Sequence, residues 1–411
     1  MSNQNRIGNT DVNDNHQSAP GAFTGIRVVD AATLLAGPMA AGLLGDWGAE
    51  VVKVEAPGAG DPLRGYPPFH GDVSLIHKVT NRNKASVTMN LREPRGQDLF
   101  RELALSSDVV VVNYRPQTLK KWGLDYETLS SENPRLIMLH ITAFGREGPY
   151  SDRPGFARIA ESFAGLAHIT GFPDREPVLS GYPIVDSLTG LYGAYVIAGA
   201  LHRRQVTGEG ALLDLALYDG LLRLLEDLVV GVEPTGTQRE RVGNMNPNVA
   251  PNDLYPTGDG QFIVIPASTN SIYKRLMSAI GRDDLAVDPG LASNPDRVGR
   301  RAEIDHAIKD WLQTVDRNEA VMLLQKAGVP AGVIMSPQEI TEDPHISIRG
   351  NLTRVHDDET GLSLNMQSPL PIGEGSIRFP GRPLGVDSDD VLTRLGHTPE
   401  DIAQLRSSGI I

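Results

Sequence analysis

The sequence predicts an α/β protein built on a doubly wound parallel sheet, followed by a smaller α/β domain. Short apolar runs alternate with helical patterns through the first half of the chain. Glycine is frequent, with 43 residues among 411, and it supplies the tight turns that join strands to helices. Hydrophobic residues make up 40% and charged residues 22%, which is typical of a globular protein with buried layers. A chain of this length exceeds one compact core, so we expect two domains, or one domain with a large insertion.

Five strands are expected in the first half, at residues 26–30, 51–55, 86–91, 109–113 and 136–141. Helical patterns separate them, for example at 38–46 and 94–105. This alternation favours parallel pairing with right-handed crossovers. Ligands bind beyond the carboxyl ends of the strands in such sheets, so the loops after Asp30, Glu55, Leu91 and Asn113 are the expected site.

The middle of the chain predicts a long apolar helix over residues 186–204. Small residues recur every four positions on it, at Gly190, Ala194 and Ala198, which allows another backbone to approach closely. Its longest apolar run, 190–201, is too short to span a bilayer and indicates a buried helix. Residues 212–225 continue in helical rhythm and are predicted as a second helix.

The predicted domain organisation has five segments. They are a polar, disordered tail at 1–20, the first part of the large domain at 21–230, a linker rich in Pro, Asn and Gly at 231–256, a small domain at 257–336 and a return segment at 337–411. Within the small domain we expect a strand at 261–267 and helices near 272–281, 302–314 and 318–328.

Composition excludes several classes of function. The chain has no cysteine, so disulfides, thiolate nucleophiles and cysteine-based zinc sites are ruled out. A net charge of −13 disfavours nucleic acid and anionic membranes as partners. The polar start of the sequence has no apolar core of a signal peptide, and we expect a cytoplasmic protein. The histidines show no metal-ligand spacing, so no metal site is predicted, and the role of His345 is left open.

Two cationic clusters lie near predicted strand ends. Arg82 and Lys84 precede the third strand, and Arg115 and Lys121 follow Asn113. Guanidinium and ammonium groups suit phosphate oxygens. The plainer interpretation of each residue is a solvated loop charge. Similarly, the turn at residues 36–38 is most simply a strand–helix turn with proline at the first helical position.

Asp186 opens the predicted long helix. The simplest interpretation is an N-cap that accepts hydrogen bonds from the first helical N–H groups. The alternative is chemical, because a carboxylate at a helix N-terminus is kept ionised by the dipole while apolar surroundings strip its water. Such a carboxylate can serve as a nucleophile.

The order of these motifs resembles the class III coenzyme A (CoA) transferases, the group of formyl-CoA and carnitine-CoA transferases and α-methylacyl-CoA racemase. The resemblance covers about residues 25–395. It is carried by GIRVVD and AGP near the start, GAEVVKVE at 48–55, NRNK at 81–84, NYRP at 113–116, GREGPY at 145–150, Asp186-Ser187 with Gly190, RQVTGEG at 204–210, GVPAG at 328–332 and DPH at 343–345.

The resemblance implies a Rossmann-like large domain built from both chain ends, an inserted small domain and two interlocked chains. A homodimer is therefore expected, and a heteromer with a paralogous subunit is possible. It implies Asp186 as the catalytic residue, with no permanent cofactor and a CoA thioester as substrate. The residues implied along the CoA site are Leu35, Ala36, Arg82, Lys84, Asn113, Arg115 and Lys121.

The implied reaction moves CoA from an acyl-CoA to a free carboxylic acid through covalent intermediates on Asp186. One alternative is a racemase or isomerase with Asp186 as base, but Phe156 stands where racemases of the group carry a histidine. The other is a non-catalytic subunit of a heteromeric transferase. Formyl-CoA transferases have a glutamine in the first turn, where this sequence has Leu34-Leu35. A larger, partly apolar acid that fits Leu35 and Phe156 is therefore expected, and Arg158 is a candidate partner for a second carboxylate.

Overall fold

The computed structural model describes residues 21–369 and 375–411, so the tail predicted at 1–20 lies outside the described residues. The chain forms two compact units. The first contains the residues up to Phe156, Val185–Gly220 and Ile348–Ile411, and the second contains Ala157–Ile184 and Leu221–Ser347. The boundaries between these units differ from the domain boundaries expected from the sequence. The expected boundaries stay a prediction.

The strands are β1 (Arg27–Asp30), β2 (Glu50–Glu55), β3 (Phe69–His70), β4 (Val73–Ser74), β5 (Lys84–Thr88), β6 (Val109–Val112), β7 (Ile137–Thr142), β8 (Ala211–Ala216), β9 (Asn252–Pro256), β10 (Phe262–Pro266), β11 (Gly332–Val333), β12 (Leu352–Asp357) and β13 (Leu362–Gln367).

The helices are α1 (Ala36–Asp46), α2 (Leu75–Thr80), α3 (Pro94–Leu105), α4 (Pro116–Trp122), α5 (Tyr126–Glu132), α6 (Ala157–Phe163), α7 (Leu166–Ile169), α8 (Ile184–Thr207), α9 (Asp219–Leu224), α10 (Glu226–Val230), α11 (Val232–Thr235), α12 (Asn270–Ala279), α13 (Asp283–Val287), α14 (Asn294–Gly299), α15 (Arg301–Leu312), α16 (Arg317–Lys326), α17 (Pro337–Glu342), α18 (Pro344–Ile348), α19 (Ser388–Arg394) and α20 (Pro399–Ser407). Two short 3₁₀ helices occupy Pro62–Gly65 and Pro289–Leu291.

A six-stranded sheet organises the first unit, in the order β5-β2-β1-β6-β7-β8. Every neighbouring pair is parallel. The central strands are almost continuously apolar, as in the VVVV of β6, because a parallel sheet is covered on both faces. The predicted α/β class with a parallel sheet is confirmed. Numbered within the sheet, the order is that of the dinucleotide-binding fold, with its reversal between β1 and β6.

The sixth strand, β8, corrects the helix predicted over residues 212–225. Leu and Ala favour helices, but tertiary pairing overrides that preference where a strand completes a sheet. Here Leu212 to Ala216 pair in register with β7, and the helix starts only at Asp219. Gly210 makes the pairing possible, because a Cβ there would lie 1.9 Å from the Leu136 carbonyl oxygen.

Helix α8 begins earlier and ends later than predicted. It has 24 residues, and an 18-residue stretch of it has a mean hydropathy of 1.4, so it could cross a membrane by length and composition alone. The expectation that the apolar stretch here, 190–201, is too short to span a bilayer was wrong. Core helices of soluble proteins can have the same length and composition, and 33% of this 18-residue stretch is buried. Gly190 allows it to lie close to α1, because a Cβ there would be 2.8 Å from the Met39 Cβ and 3.0 Å from the Ala36 carbonyl oxygen.

The final part of the chain completes the first unit. The Asp387 N–H donates to the Ser86 carbonyl oxygen at 3.0 Å, and the Asn90 N–H donates to the Ile410 carbonyl oxygen at 2.7 Å. Apolar side chains of α20 and of residues 410–411 belong to the same buried cluster as those of β1, β2 and β5. Both early and late residues of the chain therefore build this core.

The second unit has its own antiparallel sheet, β11-β10-β9, and its own core. The predicted strand at 261–267 corresponds to β10, and the three predicted helices correspond to α12, α15 and α16. Their apolar faces cover the sheet, with Ile263, Leu276, Ile308 and Leu324 fully buried.

Candidate active site

A cavity of about 210 Å³ opens at the carboxyl edge of the parallel sheet, where the strand order reverses. It collects the residues that follow β1, β6 and β8 and the end of β7. The lining residues are Thr33, Leu34, Leu35, Ala36, Asn113, Ile141, Thr142, Ala143, Gly155, Phe156, Asp186 and Leu217. The predicted site residues Leu35, Ala36, Asn113 and Asp186 therefore share one cavity.

Two side chains hold the turn between β1 and α1 in place. The Asn113 amide accepts from the Thr33 N–H and donates to the Thr33 carbonyl oxygen, both at 3.0 Å. The Asp61 carboxylate accepts from the Leu34 N–H at 3.0 Å. Leu34 has a φ of 67°, which is unfavourable for a residue with a Cβ, so these contacts hold a strained backbone at the wall of the cavity.

Asp186 is the third residue of α8, because the helix begins at Ile184. It therefore lies inside the first turn, and the N-cap interpretation is wrong. Within residues 21–369 and 375–411, no ion pair or hydrogen bond engages its carboxylate. Burial raises the pKa of Asp186 from 3.8 to about 6. The carboxylate is thus more basic than an exposed aspartate, yet about nine-tenths ionised at pH 7.

Arg82 and Lys84 have protein partners away from this cavity wall. Arg82 Nε donates to Asp46 Oδ1 at 2.9 Å, and its Nη2 contacts the other oxygen of that carboxylate. Lys84 Nζ lies 2.8 Å from Asp30 Oδ2 and donates to the Pro38 carbonyl oxygen at 2.6 Å. Burial lowers the pKa of Lys84 to about 8, with Asp30 acting in the opposite direction. Arg82 thus contacts the last residue of α1, and Lys84 contacts the end of β1 and the first turn of α1.

Lys84 is part of a larger buried charge cluster. Lys53 lies 2.8 Å from Asp61 Oδ2 and 3.6 Å from Asp30 Oδ2. Burial would lower the pKa of Lys53, but the two carboxylates outweigh it and raise that pKa. The sequence offered no indication of this cluster beyond a lysine within an apolar strand.

Arg115 and Lys121 are exposed. Arg115 precedes α4 and Lys121 lies in its last turn, close in sequence to Asn113. They are the two predicted cations that no protein carboxylate engages within the described residues. They stay predicted CoA contacts.

A second cavity, of about 410 Å³, opens at the same edge beyond β2 and β5. It is lined by the ends of both strands, by residues after them and by two aromatic rings: Val54, Glu55, Ala56, Pro57, Ala59, Met89, Asn90, Leu91, Arg92, Tyr114, Trp122 and Gly409. Sequence reasoning placed the site near Glu55 and Leu91, but it missed Arg92 and the aromatic pair. The rings of Tyr114 and Trp122 meet edge to face at 5.2 Å.

Several wall residues of the first cavity were also missed. Thr142 and Ile141 end β7, and Leu217 follows β8. The expected site included the loop after the fourth predicted strand but not the end of the fifth, so Ile141 and Thr142 were not named as site residues. Residues 212–225 were predicted as a helix, so Leu217 could not be placed at this edge. Among the described residues, no group of three or more metal-ligating side chains is present.

The fold and the cavity define an α/β protein with a carboxylate in a cavity at the switch point of its sheet. Residues 23–383 match the model of CoA-transferase family III. The chain belongs to this family and transfers CoA between an acyl-CoA and a carboxylic acid. The prediction of a class III CoA-transferase is confirmed.

Relatives support this assignment over nearly the whole chain. The chain is 40% identical to succinyl-CoA–D-citramalate CoA-transferase of Chloroflexus aurantiacus, covering 96% of this chain and 99% of the relative. It is 40% identical to the beta subunit of succinyl-CoA–L-malate CoA-transferase of the same organism, covering 95% and 98%. A crystal structure of a CaiB/BaiF family protein from Brucella suis superposes with a TM-score of 0.83 at 32% identity, covering 92% of this chain and all of that one.

Proposed function

We propose that Asp186 is the nucleophile of the CoA transfer. The observation that carries the proposal is a carboxylate without a protein partner in the described residues, in a cavity at the switch point of the sheet, with a pKa raised by burial to about 6. A higher pKa means a more basic and therefore more nucleophilic oxygen. Most of the carboxylate is still ionised at neutral pH.

The proposed reaction exchanges acyl groups on this oxygen. Asp186 attacks the thioester carbonyl, and the C–S bond breaks. CoA thiolate is released, and the acyl group stays on Asp186 as a mixed anhydride. The thiolate then attacks the aspartyl carbonyl, which releases the donor acid and forms an aspartyl-CoA thioester. The acceptor carboxylate displaces the thiolate to form a second mixed anhydride. Attack of the thiolate on the acceptor carbonyl gives the new acyl-CoA and frees Asp186.

Chemical trapping tests this route. The enzyme is incubated with acyl-CoA, treated with hydroxylamine or borohydride, and mapped by peptide mass spectrometry. We expect a hydroxamate or an alcohol at Asp186 that depends on acyl-CoA. An unmodified Asp186 under turnover conditions, with CoA exchange intact in Asp186→Ala, contradicts the proposal.

For substrates we propose succinyl-CoA as donor and a four- or five-carbon dicarboxylic acid as acceptor. The names of two relatives, the D-citramalate and L-malate transferases, support this class. The cavity is compact and has both polar and apolar walls, with Leu34, Leu35 and Phe156 among the apolar residues, which suits a short acid with a hydrocarbon body. The predicted pairing of Arg158 with a second carboxylate is part of this proposal. A mass-based screen of mono- and dicarboxylic acids against succinyl-CoA tests it, and a preference for monocarboxylic acids contradicts it.

We propose that the CoA chain runs along the sheet edge from Leu35, Ala36 and Asn113 towards the second cavity, with its nucleotide beside Arg92 and Tyr114. Arg92 supplies a cation for phosphate, and aromatic rings are stacking surfaces for a base. Arg115 and Lys121 are the further proposed phosphate contacts. The sequence-based prediction that Arg82 and Lys84 contact CoA is untested, and it is not part of this proposal because both side chains pair with carboxylates.

We propose an interlocked homodimer, with a paralogous partner chain as the alternative. Exposed apolar residues on α8, namely Leu191, Tyr195 and Val206, favour coverage by a second chain. The similarity to a named beta subunit favours testing the heteromer as well. Light scattering of the purified chain distinguishes a dimer from a monomer, and a stable monomer contradicts the homodimer. The expected cytoplasmic location stays a prediction.

A further inference from the structure

Thr142 combines two features within the cavity that contains Asp186. It is the last residue of β7 and lines the cavity wall. Its hydroxyl oxygen is buried and has no hydrogen-bond partner in the described part of the chain. Its backbone is fully used, since Thr142 pairs with Ala216 in register and its carbonyl oxygen accepts from the Leu217 N–H at 2.9 Å. The backbone of Thr142 is therefore held by the sheet, whereas its hydroxyl has no hydrogen-bond partner among the described residues.

Apart from the Asp186 carboxylate, the other polar side chains of the wall are engaged with the protein. The Asn113 amide makes two hydrogen bonds to the Thr33 backbone, and its Nδ2 lies 3.5 Å from the Thr33 hydroxyl. A buried threonine elsewhere in the same unit also has a partner, since the Thr88 hydroxyl lies 3.4 Å from that of Ser388. The unpaired hydroxyl of Thr142 is thus a local exception that coincides with the cavity.

A buried hydroxyl without a partner is unfavourable, and most such groups in proteins are paired. At the wall of a ligand cavity a ligand can supply the missing partner. The Thr142 oxygen is enclosed in the structure, so a rotation about the Cα–Cβ bond is needed to bring it to the ligand. A hydroxyl can donate one hydrogen bond and accept two, and its strongest interactions are with charged acceptors. The acceptor acid of a CoA-transferase carries such an oxygen, because its carboxylate must reach Asp186.

We propose that Thr142 is a substrate-recognition residue whose hydroxyl donates a hydrogen bond to a carboxylate oxygen of the acceptor acid. This inference rests on the proposed role of Asp186, because it places the acid in the same cavity. The hydrogen bond would orient the carboxylate between a fixed strand end and the helix α8. The acid is otherwise surrounded mainly by apolar side chains, including Ile141, Ala143 and Leu217.

Thr142→Val tests the proposal, because valine has the shape of threonine without its hydroxyl. We expect the KM for the acceptor acid to rise about tenfold or more, with kcat at saturating acid and the KM for acyl-CoA changed less than about twofold. A hydrogen bond to a charged group is large enough for this change. Thr142→Ser keeps the hydroxyl and should restore the KM of the acid to within about threefold of the wild type.

Thr88→Val is the matched control. It also removes a buried hydroxyl from the last residue of a parallel strand, but its partner is Ser388. We expect an unchanged KM for the acid in this variant. An unchanged KM in Thr142→Val, or an equal rise in Thr88→Val, overturns the proposal, as does a fall confined to kcat.

Trapping of the acyl intermediate separates this inference from the function on which it rests. Acyl-CoA alone, without acceptor acid, should label Asp186 to the same extent in Thr142→Val and in the wild type. Absence of the label in the wild type overturns the role of Asp186. A normal label in both proteins, with an unchanged KM for the acid, overturns only the role of Thr142.

Discussion

Two carboxylates at the same edge of the parallel sheet, Asp30 and Asp186, have opposite surroundings. Asp30 ends β1, is fully buried, and has Lys84 at 2.8 Å and Lys53 at 3.6 Å. Asp186 lies on α8 in a cavity, with no cation within bonding distance in the described residues, and burial raises its pKa to about 6. Removing one partner of a buried pair is costly, and a partly buried carboxylate without a cation lowers stability. The absence of a partner for Asp186 is the feature on which its proposed reactivity rests.

The largest expected effect is on catalysis. Replacing Asp186 by Asn should lower kcat by about 10⁴-fold or more, because the variant has no nucleophilic oxygen. Steady-state assays by mass spectrometry measure the change. Asp219→Asn is a matched control, since burial also raises the pKa of Asp219 but its carboxylate accepts from the Ala216 N–H. A comparable loss of kcat in both variants would mean that Asp186 has no special role in catalysis.

The next effect concerns the paired carboxylate. Lys84→Met should lower the free energy of unfolding by about 3–5 kcal/mol, because it leaves Asp30 buried with only the more distant Lys53. Denaturant unfolding measures the loss. Arg394→Met breaks an exposed pair with Glu50 and should cost less than about 1 kcal/mol. Equal losses in the two variants would mean that Asp30 does not depend on its lysine.

Asp186→Asn should also stabilise the protein at pH 8. The folded-state pKa of about 6 lies above the unfolded value of 3.8, so protonated Asp186 favours folding below about pH 4. That contribution is lost as the pH rises through 6. Removing the charge should therefore raise the free energy of unfolding by up to about 3 kcal/mol at pH 8 and should not change it at pH 3.5. Melting curves of both proteins at the two pH values check the sign, and a gain confined to low pH contradicts it.

The smallest expected effect distinguishes the predicted CoA cations. Arg115→Gln should raise the KM for acyl-CoA about fivefold, an effect that weakens with added salt, because an exposed cation makes one phosphate contact. Arg82→Gln should leave that KM nearly unchanged and lower stability, since Arg82 pairs with the buried Asp46. The reverse pattern would place Arg82, rather than Arg115, on the CoA.

Sequence patterns predicted the framework where local chemistry and tertiary structure agree. The apolar runs of β1, β2, β6 and β7 and the helix α3 were located to within one or two residues because burial on both faces leaves a clear pattern. Strand β8 was missed because its Leu and Ala favour a helix, and only pairing with β7 makes it a strand.

The site could be predicted only in part for a similar reason. Asp186, Leu35, Ala36 and Asn113 lie in motifs that follow strand ends or open a helix, so order along the chain was informative. The partners of Arg82 and Lys84 are Asp46 and Asp30, 36 and 54 residues away in sequence. No local pattern reveals such pairings. The missing hydrogen-bond partner of the Thr142 hydroxyl likewise becomes visible only in the folded structure.

The contribution of residues around Ile410 to the first core has a consequence for synthesis. Asn90 emerges from the ribosome early, yet its N–H partner at Ile410 follows hundreds of residues later. Residues 221–347, by contrast, supply the separate core of the second unit in one continuous run. During translation the second unit can acquire its core while the six-stranded sheet of the first unit still lacks part of its cover. The first unit can therefore complete its core only after the last residues of the chain have been synthesised and have packed against the sheet.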